Sequence, residues 1–204
     1  LDEAAAHPLA LALSGPAAGA RAVAHWAAGG DAIGHDMGGS TAEVSLVRGG
    51  EPLVAREVGL GDLRLRCAAL DVESVALGSG SEVALRGGAL RLLPSALPSC
   101  CGGAAATLLD AALAAGWLPP VISGLALDAV AARAALAHAL GSADAAPVLD
   151  FAEAVLAEAL RRIALRRGID PTRALLVAGG GAGPLHAAAI AARLGAPRVL
   201  VPAA

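Results

Sequence analysis

The stretch AIGHDMGGSTAEVSLVRGGEP, Ala32 to Pro52, decides how the chain is read. A short apolar run ends in an acid, two glycines and two hydroxyls, and an alternating pattern with a second glycine pair follows. Val44 and Leu46 alternate with Glu43 and Ser45, the period of a half-buried strand, and Gly49-Gly50 supplies a hairpin turn. Asp36, Gly38, Gly39, Ser40 and Thr41 therefore lie between two strands. Two readings are open. The glycines can serve a tight turn whose backbone Asp36 caps. They can equally let backbone N–H groups approach an anion without Cβ interference, with Ser40 and Thr41 as further donors and Asp36 holding a hydrated Mg²⁺.

The chain has 204 residues, 56% hydrophobic and 16% charged, enough for a buried core and unlike a disordered segment. Two Trp and one Phe are the only aromatic residues, so closely packed Ala-rich helices are expected. All 15 basic residues are Arg, which excludes a Schiff-base lysine and a P-loop lysine. A net charge of −3 without a basic stripe speaks against nucleic acid as a partner. The three cysteines, Cys67 and the adjacent Cys100 and Cys101, make neither a disulfide framework nor a zinc spacing. They fit a reducing compartment, and the acids at Asp2 and Glu3 do not suit an export signal. The apolar run from Ala174 to Ala192 is broken by glycines and Pro184 and reads as strand, loop and helix, not as a membrane span. The expected location is cytoplasmic.

Along the chain, LALALSGPAAGARAVAHWAAGG reads as a short strand and then a helix from near Pro16 to Gly29-Gly30. SEVALRGGALRLLP repeats the hairpin design with Gly87-Gly88 at its tip. Helices are expected after Pro98: one closed by Gly116, one stopped by Gly141, and a long one carrying Phe151, Val155, Ala159 and Ile163 at four-residue spacing. The closing stretch reads strand, glycine loop, helix, strand. ALGSGSE and LLPSALPSCCGG look like the loosest parts.

Two familiar glycine motifs fail here. GGGAGPLHAAA has no dinucleotide-binding register, because Pro184 and His186 fall where a third small residue belongs. Ser40 nearly matches a nucleophile elbow, but that motif needs a helix after the serine and a strand pattern follows. A phosphate loop inside a hairpin, or a plain glycine turn, remains. His35 beside Asp36 reads as a structural histidine, and Cys100 and Cys101 read as buried thiols.

Three pieces in order, SGPAAGARAV, DMGGSTAEVSLV and GGGAGPLHAAAIAARLGAPRVLVP, resemble the ATP-dependent hydantoinase A/5-oxoprolinase family. That family includes acetone and acetophenone carboxylase subunits and belongs to the actin-like ATPase superfamily. The resemblance implies an α/β fold, an actin-like ATPase (ribonuclease H-like) lobe with β-hairpins and Ala-rich helices. It places Asp36, Gly38, Gly39, Ser40 and Thr41 on the second phosphate loop, with Asp36 as the catalytic and Mg²⁺-side acid. It places Gly180, Gly181, Ala182, Gly183, Pro184 and His186 on the nucleotide side, and Ser14, Gly15 and Pro16 at the start of the helix between lobes. ATP and Mg²⁺ are the cofactors it implies. The partners it implies are a nucleotide and a missing N-terminal lobe or a hydantoinase B-like subunit.

The departures are specific. The family writes its loop Asp-Met-Gly-Gly-Thr-Ser-Thr-Asp, whereas Ser40, Thr41, Ala42 and Glu43 close it here. Glu73 stands where the family's His-Thr-Val-Gly-Ala-Gly-Gly-Gly-Ser run begins with histidine, and nothing resembles the family's N-terminal lobe. The expectation is a single hydantoinase A-like lobe over 1–204, with a shortened loop region at about 71–103 and a helical segment at about 104–168. Its activity would be that of a truncated ATP-dependent cyclic amide hydrolase. The rivals are a non-catalytic degenerate paralogue or interaction subunit, and a kinase-like regulator of the same superfamily.

Overall fold

The computed structural model describes residues 14–60, 63–65, 69–122 and 124–203. Cys67 and the strand expected before Ser14 lie outside the described residues. Helix α1 (Ser14–Ala27) holds Pro16 in its first turn and gives way to Gly29 at φ 85°, the punctuation expected of its sequence. Strand β1 (Ala32–Met37) and strand β2 (Ala42–Arg48) follow as an antiparallel pair, and Gly49-Gly50 turns the chain into β3 (Glu51–Pro52). Both turn glycines have positive φ, 57° and 85°, as a tight hairpin turn demands.

Two short ribbons come next, β4 (Val54–Ala55) with β7 (Ala69–Leu70) and β5 (Val58–Leu60) with β6 (Leu63–Leu65). β8 (Val72–Val75) returns to pair with β2. The second expected hairpin is β9 (Ser81–Arg86) with β10 (Ala89–Ser95). A 3₁₀ turn at Ser99–Cys101 leads to α2 (Leu108–Ala114). The segment expected to be helical is interrupted by a small ribbon, β11 (Val121–Ile122) with β12 (Leu125–Ala126). The cause is local: Gly116, Pro119 and Pro120 end the helix, and Gly124 at φ 82° reverses the chain. Helices α3 (Ala129–Leu140) and α4 (Ala146–Arg166) complete the segment, with Asp128 capping α3 through Val130 and Ala131 N–H. β13 (Leu175–Gly179), α5 (Gly183–Leu194) and β14 (Arg198–Leu200) form the closing unit in the expected order.

The main sheet runs β14-β13-β1-β2-β3, with β8 beside β3 on the same edge of β2. β1 is parallel to β13 and antiparallel to β2, so the hairpin and the distant closing unit share one central strand. On one face Ile33, Leu46 and Leu176 pack with Leu156, Leu160 and Ile190 of α4 and α5. On the other, Ala32, Val47, Leu175 and Val177 meet Val23 and Ala27 of α1. Strand alternation assigns the faces.

The two segments read as loosest are tightly held. Gly78 and Gly80 are buried, and Ser99 and Cys100 are anchored by the buried Asp110. Asp110 accepts from Ser99 N–H at 3.2 Å, Cys100 N–H at 2.7 Å, Thr107 N–H at 2.9 Å and Thr107 Oγ1 at 2.8 Å. Gly78, Gly80 and Gly103 serve close approach of backbone to backbone. Burial, with Asp110 alongside, pushes the Cys100 thiol well above its ordinary pKa, as a structural thiol requires.

Candidate functional site

The ends of β1 and β13 are neighbours because the two strands are parallel and in register, Asp36 beside Gly179. Whatever follows either strand must emerge on the same edge of the sheet. Alternation along β1 turns Gly34 and Asp36 toward α1, and His35 and Met37 toward α4 and α5. A Cβ on Gly19 of α1 would lie 3.8 Å from Asp36 Oδ2. Asp36 is exposed and makes no hydrogen bond or ion pair among the described residues.

Glu43 stands directly opposite Asp36 in the β1–β2 register and so shares its face. Ser74 Oγ of β8 donates to Glu43 Oε1 at 3.0 Å. Glu43 is not among the site residues expected from the sequence, although it faces Asp36. The strand register makes the pair, and β2's alternation was the signal that could have found it. Two facing carboxylates are an all-oxygen donor set suited to Mg²⁺, which keeps much of its water. No group of three or more His, Cys, Asp or Glu able to hold a metal ion occurs among the described residues.

The loop between β1 and β2 is closed by Gly38 N–H donating to the Thr41 carbonyl at 2.9 Å. Behind it run Gly78, Ser79 and Gly80. Ser79 N–H donates to the Gly38 carbonyl at 3.0 Å, and Gly80 N–H to the Gly39 carbonyl at 2.7 Å. A Cβ on Gly78 would lie 2.5 Å from the Gly39 carbonyl carbon, so only glycine allows the two backbones to meet. Gly38, Gly39 and Ser40 are exposed and Thr41 is half-buried. Neither Gly38 nor Gly39 has positive φ, and a Cβ on Gly39 would meet no atom within 4 Å.

The second loop leaves β13 at Gly180, whose φ is 74°. A Cβ there would overlap Asp36 Oδ1 and sit 2.5 Å from the Met37 carbonyl oxygen. Ala182 N–H donates to that Met37 carbonyl at 3.0 Å, which staples the loops together. Gly180 and Gly181 are exposed, Ala182 and Gly183 are buried, and Pro184 is half-buried in the first turn of α5. Gly181, like Gly39, has open space where a side chain would go.

His186 lies one turn into α5 and is buried, away from the exposed loop surface. Its Nδ1 is 3.3 Å from Glu153 Oε1 of α4, and its ring meets Trp117 edge-on at 5.7 Å. Burial lowers its pKa, against the opposing pull of Glu153. His35 is buried on the same side, and both of its ring nitrogens lack partners among the described residues. Burial, with His186 nearby, pushes its pKa down to about 4. The histidine expected to be structural is so, in a strand and not in a loop.

The hydantoinase/oxoprolinase family model matches residues 1–204. The chain belongs to the hydantoinase/oxoprolinase family. It is 29% identical to caprolactamase subunit alpha of Pseudomonas jessenii, over 82% of this chain and 27% of that protein. It is 32% identical to the 5-oxoprolinase PfmaA of Pestalotiopsis fici, over 83% of this chain and 15% of that one. The crystal structure of the ATP-dependent caprolactamase superposes with a TM-score of 0.78 at 29% identity, over 92% of this chain and 30% of the other. Nucleotide-free acetone carboxylase, an enzyme of ATP-dependent acetone carboxylation, superposes at 0.79 and 27%, over 91% and 29%. The chain thus spans less than a third of the length of these relatives. The fold is of the actin-like ATPase type.

Glu73, the residue expected at the family's histidine position, is tied into the fold. Glu73 of β8 pairs with Arg166 at 2.5 Å and Arg167 at 3.4 Å, and Arg167 also holds Asp71 at 2.5 Å. The acid ties β8 to the end of α4. No helix among the described residues is long and apolar enough to cross a membrane.

Proposed function

We propose that residues 1–204 form one lobe, the second half of the ATP cradle, in a cytoplasmic ATP-dependent enzyme acting on a cyclic amide or a small ketone. The juxtaposition of Asp36 with Gly180 carries this reading. A triphosphate-bearing nucleotide needs a phosphate loop and a nucleoside-side wall within about 10 Å of each other, inside one ligand-sized cleft. Parallel pairing of β1 and β13 brings the ends of two segments far apart in sequence to one edge of the sheet, which supports the reading. Gly39 and Gly181 support the same reading, since neither the backbone conformation nor any neighbouring atom requires glycine there. A plain glycine turn capped by Asp36 would need the reverse.

In this account the exposed backbone of Gly38–Ser40 and the hydroxyls of Ser40 and Thr41 take phosphate oxygens. Asp36, with Glu43 across the strand, holds the hydrated Mg²⁺, which neutralises phosphate charge. Gly180–Pro184 walls the adenosine side, and His186 anchors that wall from beneath through Glu153. Phosphoryl transfer asks mainly for positioning and charge stabilisation, and a rigid sheet edge supplies both. A first phosphate loop comes from a second lobe, and a hydantoinase B-like subunit completes the assembly.

One observation favours a non-catalytic role. The family's histidine position is filled by Glu73 and committed to two arginines. The test is ATP hydrolysis stimulated by a cyclic amide or ketone, measured with the chain assembled with its first lobe and partner subunit. Asp36→Asn should lower the stimulated rate by about a hundredfold or more. An unchanged rate, or none from the wild-type assembly, contradicts the catalytic reading.

A further inference from the structure

Cys100 and Cys101 are adjacent in the 3₁₀ turn at Ser99–Cys101, both are free thiols, and their Sγ atoms lie 3.8 Å apart. The backbone that presents them is pinned. Asp110 accepts from Ser99 and Cys100 N–H, Cys101 N–H donates to the Pro98 carbonyl at 3.0 Å, and the Cys100 carbonyl accepts from Asp128 N–H at 3.0 Å. The two sulfurs are not equivalent: Cys100 is 2% exposed and packs with Leu113, Leu127 and Ala132, whereas Cys101 is half-buried. A disulfide between them is disfavoured. Consecutive Cα atoms are about 3.8 Å apart, short of the roughly 4.4–6.8 Å that a disulfide usually spans, and the pinned turn resists the closure an S–S bond needs. A single centre bonded to both sulfurs asks for no closure. Two bonds of about 2.3 Å at a near-tetrahedral angle hold their sulfurs about 3.8 Å apart. Structural zinc would need four ligands, and no group of three or more His, Cys, Asp or Glu able to hold a metal ion occurs among the described residues. The pair therefore fits a centre that takes two thiolates and brings its own third substituent, which is the valence of trivalent arsenic.

We propose that Cys100 and Cys101 form a dithiol site that chelates trivalent arsenicals. Cys101 is the point of entry, because its sulfur is the more accessible of the two. It bonds to the arsenic of a hydrated arsenical, R–As(OH)₂, and one hydroxide leaves as water with the thiol's proton. The Cys100 sulfur then bonds to the same arsenic, and the second hydroxide leaves with the second proton. Arsenic stays trivalent throughout, so the step needs neither oxidant nor reductant. Burial keeps the Cys100 thiol protonated and slow toward a reagent that bonds to one sulfur alone. Once arsenic is held by Cys101, attack by Cys100 is intramolecular, with the effective concentration that proximity gives. The same burial that makes Cys100 inert by itself thus makes the pair selective for a centre that bridges two thiols.

The experiment treats the reduced chain with one equivalent of phenylarsine oxide and reads its intact mass, then adds excess glutathione or 2,3-dimercaptopropanol. The expected result is one arsenical per chain with two free thiols lost, held against the monothiol and removed by the dithiol. Cys101→Ser, a change at a half-buried position, should weaken retention against glutathione by about a hundredfold or more, the loss expected when two linked contacts become one. Cys67→Ser should leave retention unchanged. Peptide mapping of the wild-type adduct needs no variant to fold, and it should place both sulfur bonds on Cys100 and Cys101. No adduct, an adduct that glutathione releases, or one that maps to Cys67 would overturn the proposal. None of those outcomes touches the nucleotide reading, which is tested with ATP and the assembled protein.

Discussion

Asp36 Oδ1 occupies the space that a side chain on Gly180 would need, so the acid closing β1 and the glycine opening the second loop are fitted to each other. Gly180 is also held at φ 74°. Gly180→Ala therefore meets both a strained backbone and an overlap, and should cost about 2–4 kcal/mol of stability in denaturant unfolding. A loss under about 0.5 kcal/mol would mean that the two loops are not packed as described.

Gly39 and Gly181 should behave in the opposite way. A Cβ at either meets no atom within 4 Å, so alanine there should leave stability within about 0.5 kcal/mol. In the assembled protein each substitution should weaken nucleotide binding, because the added methyl enters the space reserved for ligand. Retained affinity in both variants would show that these glycines do not face a nucleotide.

Acid should weaken the fold through His35. Its folded pKa is pushed down to about 4, whereas an unfolded histidine titrates near 6.5. Between those values the unfolded chain binds the extra proton, so stability falls as pH drops from about 6.5 toward 4 and is insensitive to this group above that window. The loss from His35 alone is on the order of 3 kcal/mol, and His186, shifted in the same direction, adds to it. His186 on α5, itself paired with Glu153 on α4, is the titratable neighbour that adds to the His35 shift. His35→Leu should flatten the slope of melting temperature against pH between about 4 and 6.5, and it leaves no orphaned ring nitrogens. An unchanged slope would contradict the burial of a neutral ring.

Asp110 joins the 3₁₀ turn to α2 through four donors. Asp110→Ala leaves several buried N–H groups unpaired and removes a capping box, a loss of about 3 kcal/mol or more by chemical denaturation. Asp110→Asn should be intermediate, since the amide keeps one acceptor oxygen.

Much of this fold could be read from punctuation. Gly49-Gly50 and Gly87-Gly88 announced two hairpins because positive φ at both turn positions is a demand few other residues meet. Gly141 and Gly195 stopped their helices for the same reason. The site was legible only along each loop. That Asp36 faces Glu43, and that Asp36 needs position 180 to carry no side chain, depends on pairing between strands, which no single stretch encodes. Gly78 and Gly80 looked like slack because glycine in a polar run has the same appearance whether it bends freely or lets two backbones touch. His186 matched the family motif, yet one helical turn carries it from the loop into the core beside Glu153. The ribbon at Val121–Ala126 was missed because its strands are two residues each, too short to show a period.

The central claim is that the Asp36 and Gly180 loops together make one half of an ATP cradle. Calorimetric titration of Mg²⁺·ATP into the chain alone, and into the chain mixed with a matching first lobe, tests it most directly. Orientation between halves is worth about 7–11 kcal/mol in favourable cases, so the account predicts weak or undetectable heat from the chain alone. It predicts Mg²⁺-dependent binding from the mixture, lost again with Asp36→Ala. Tight binding by the chain alone, or binding by the mixture that survives Asp36→Ala, would contradict it.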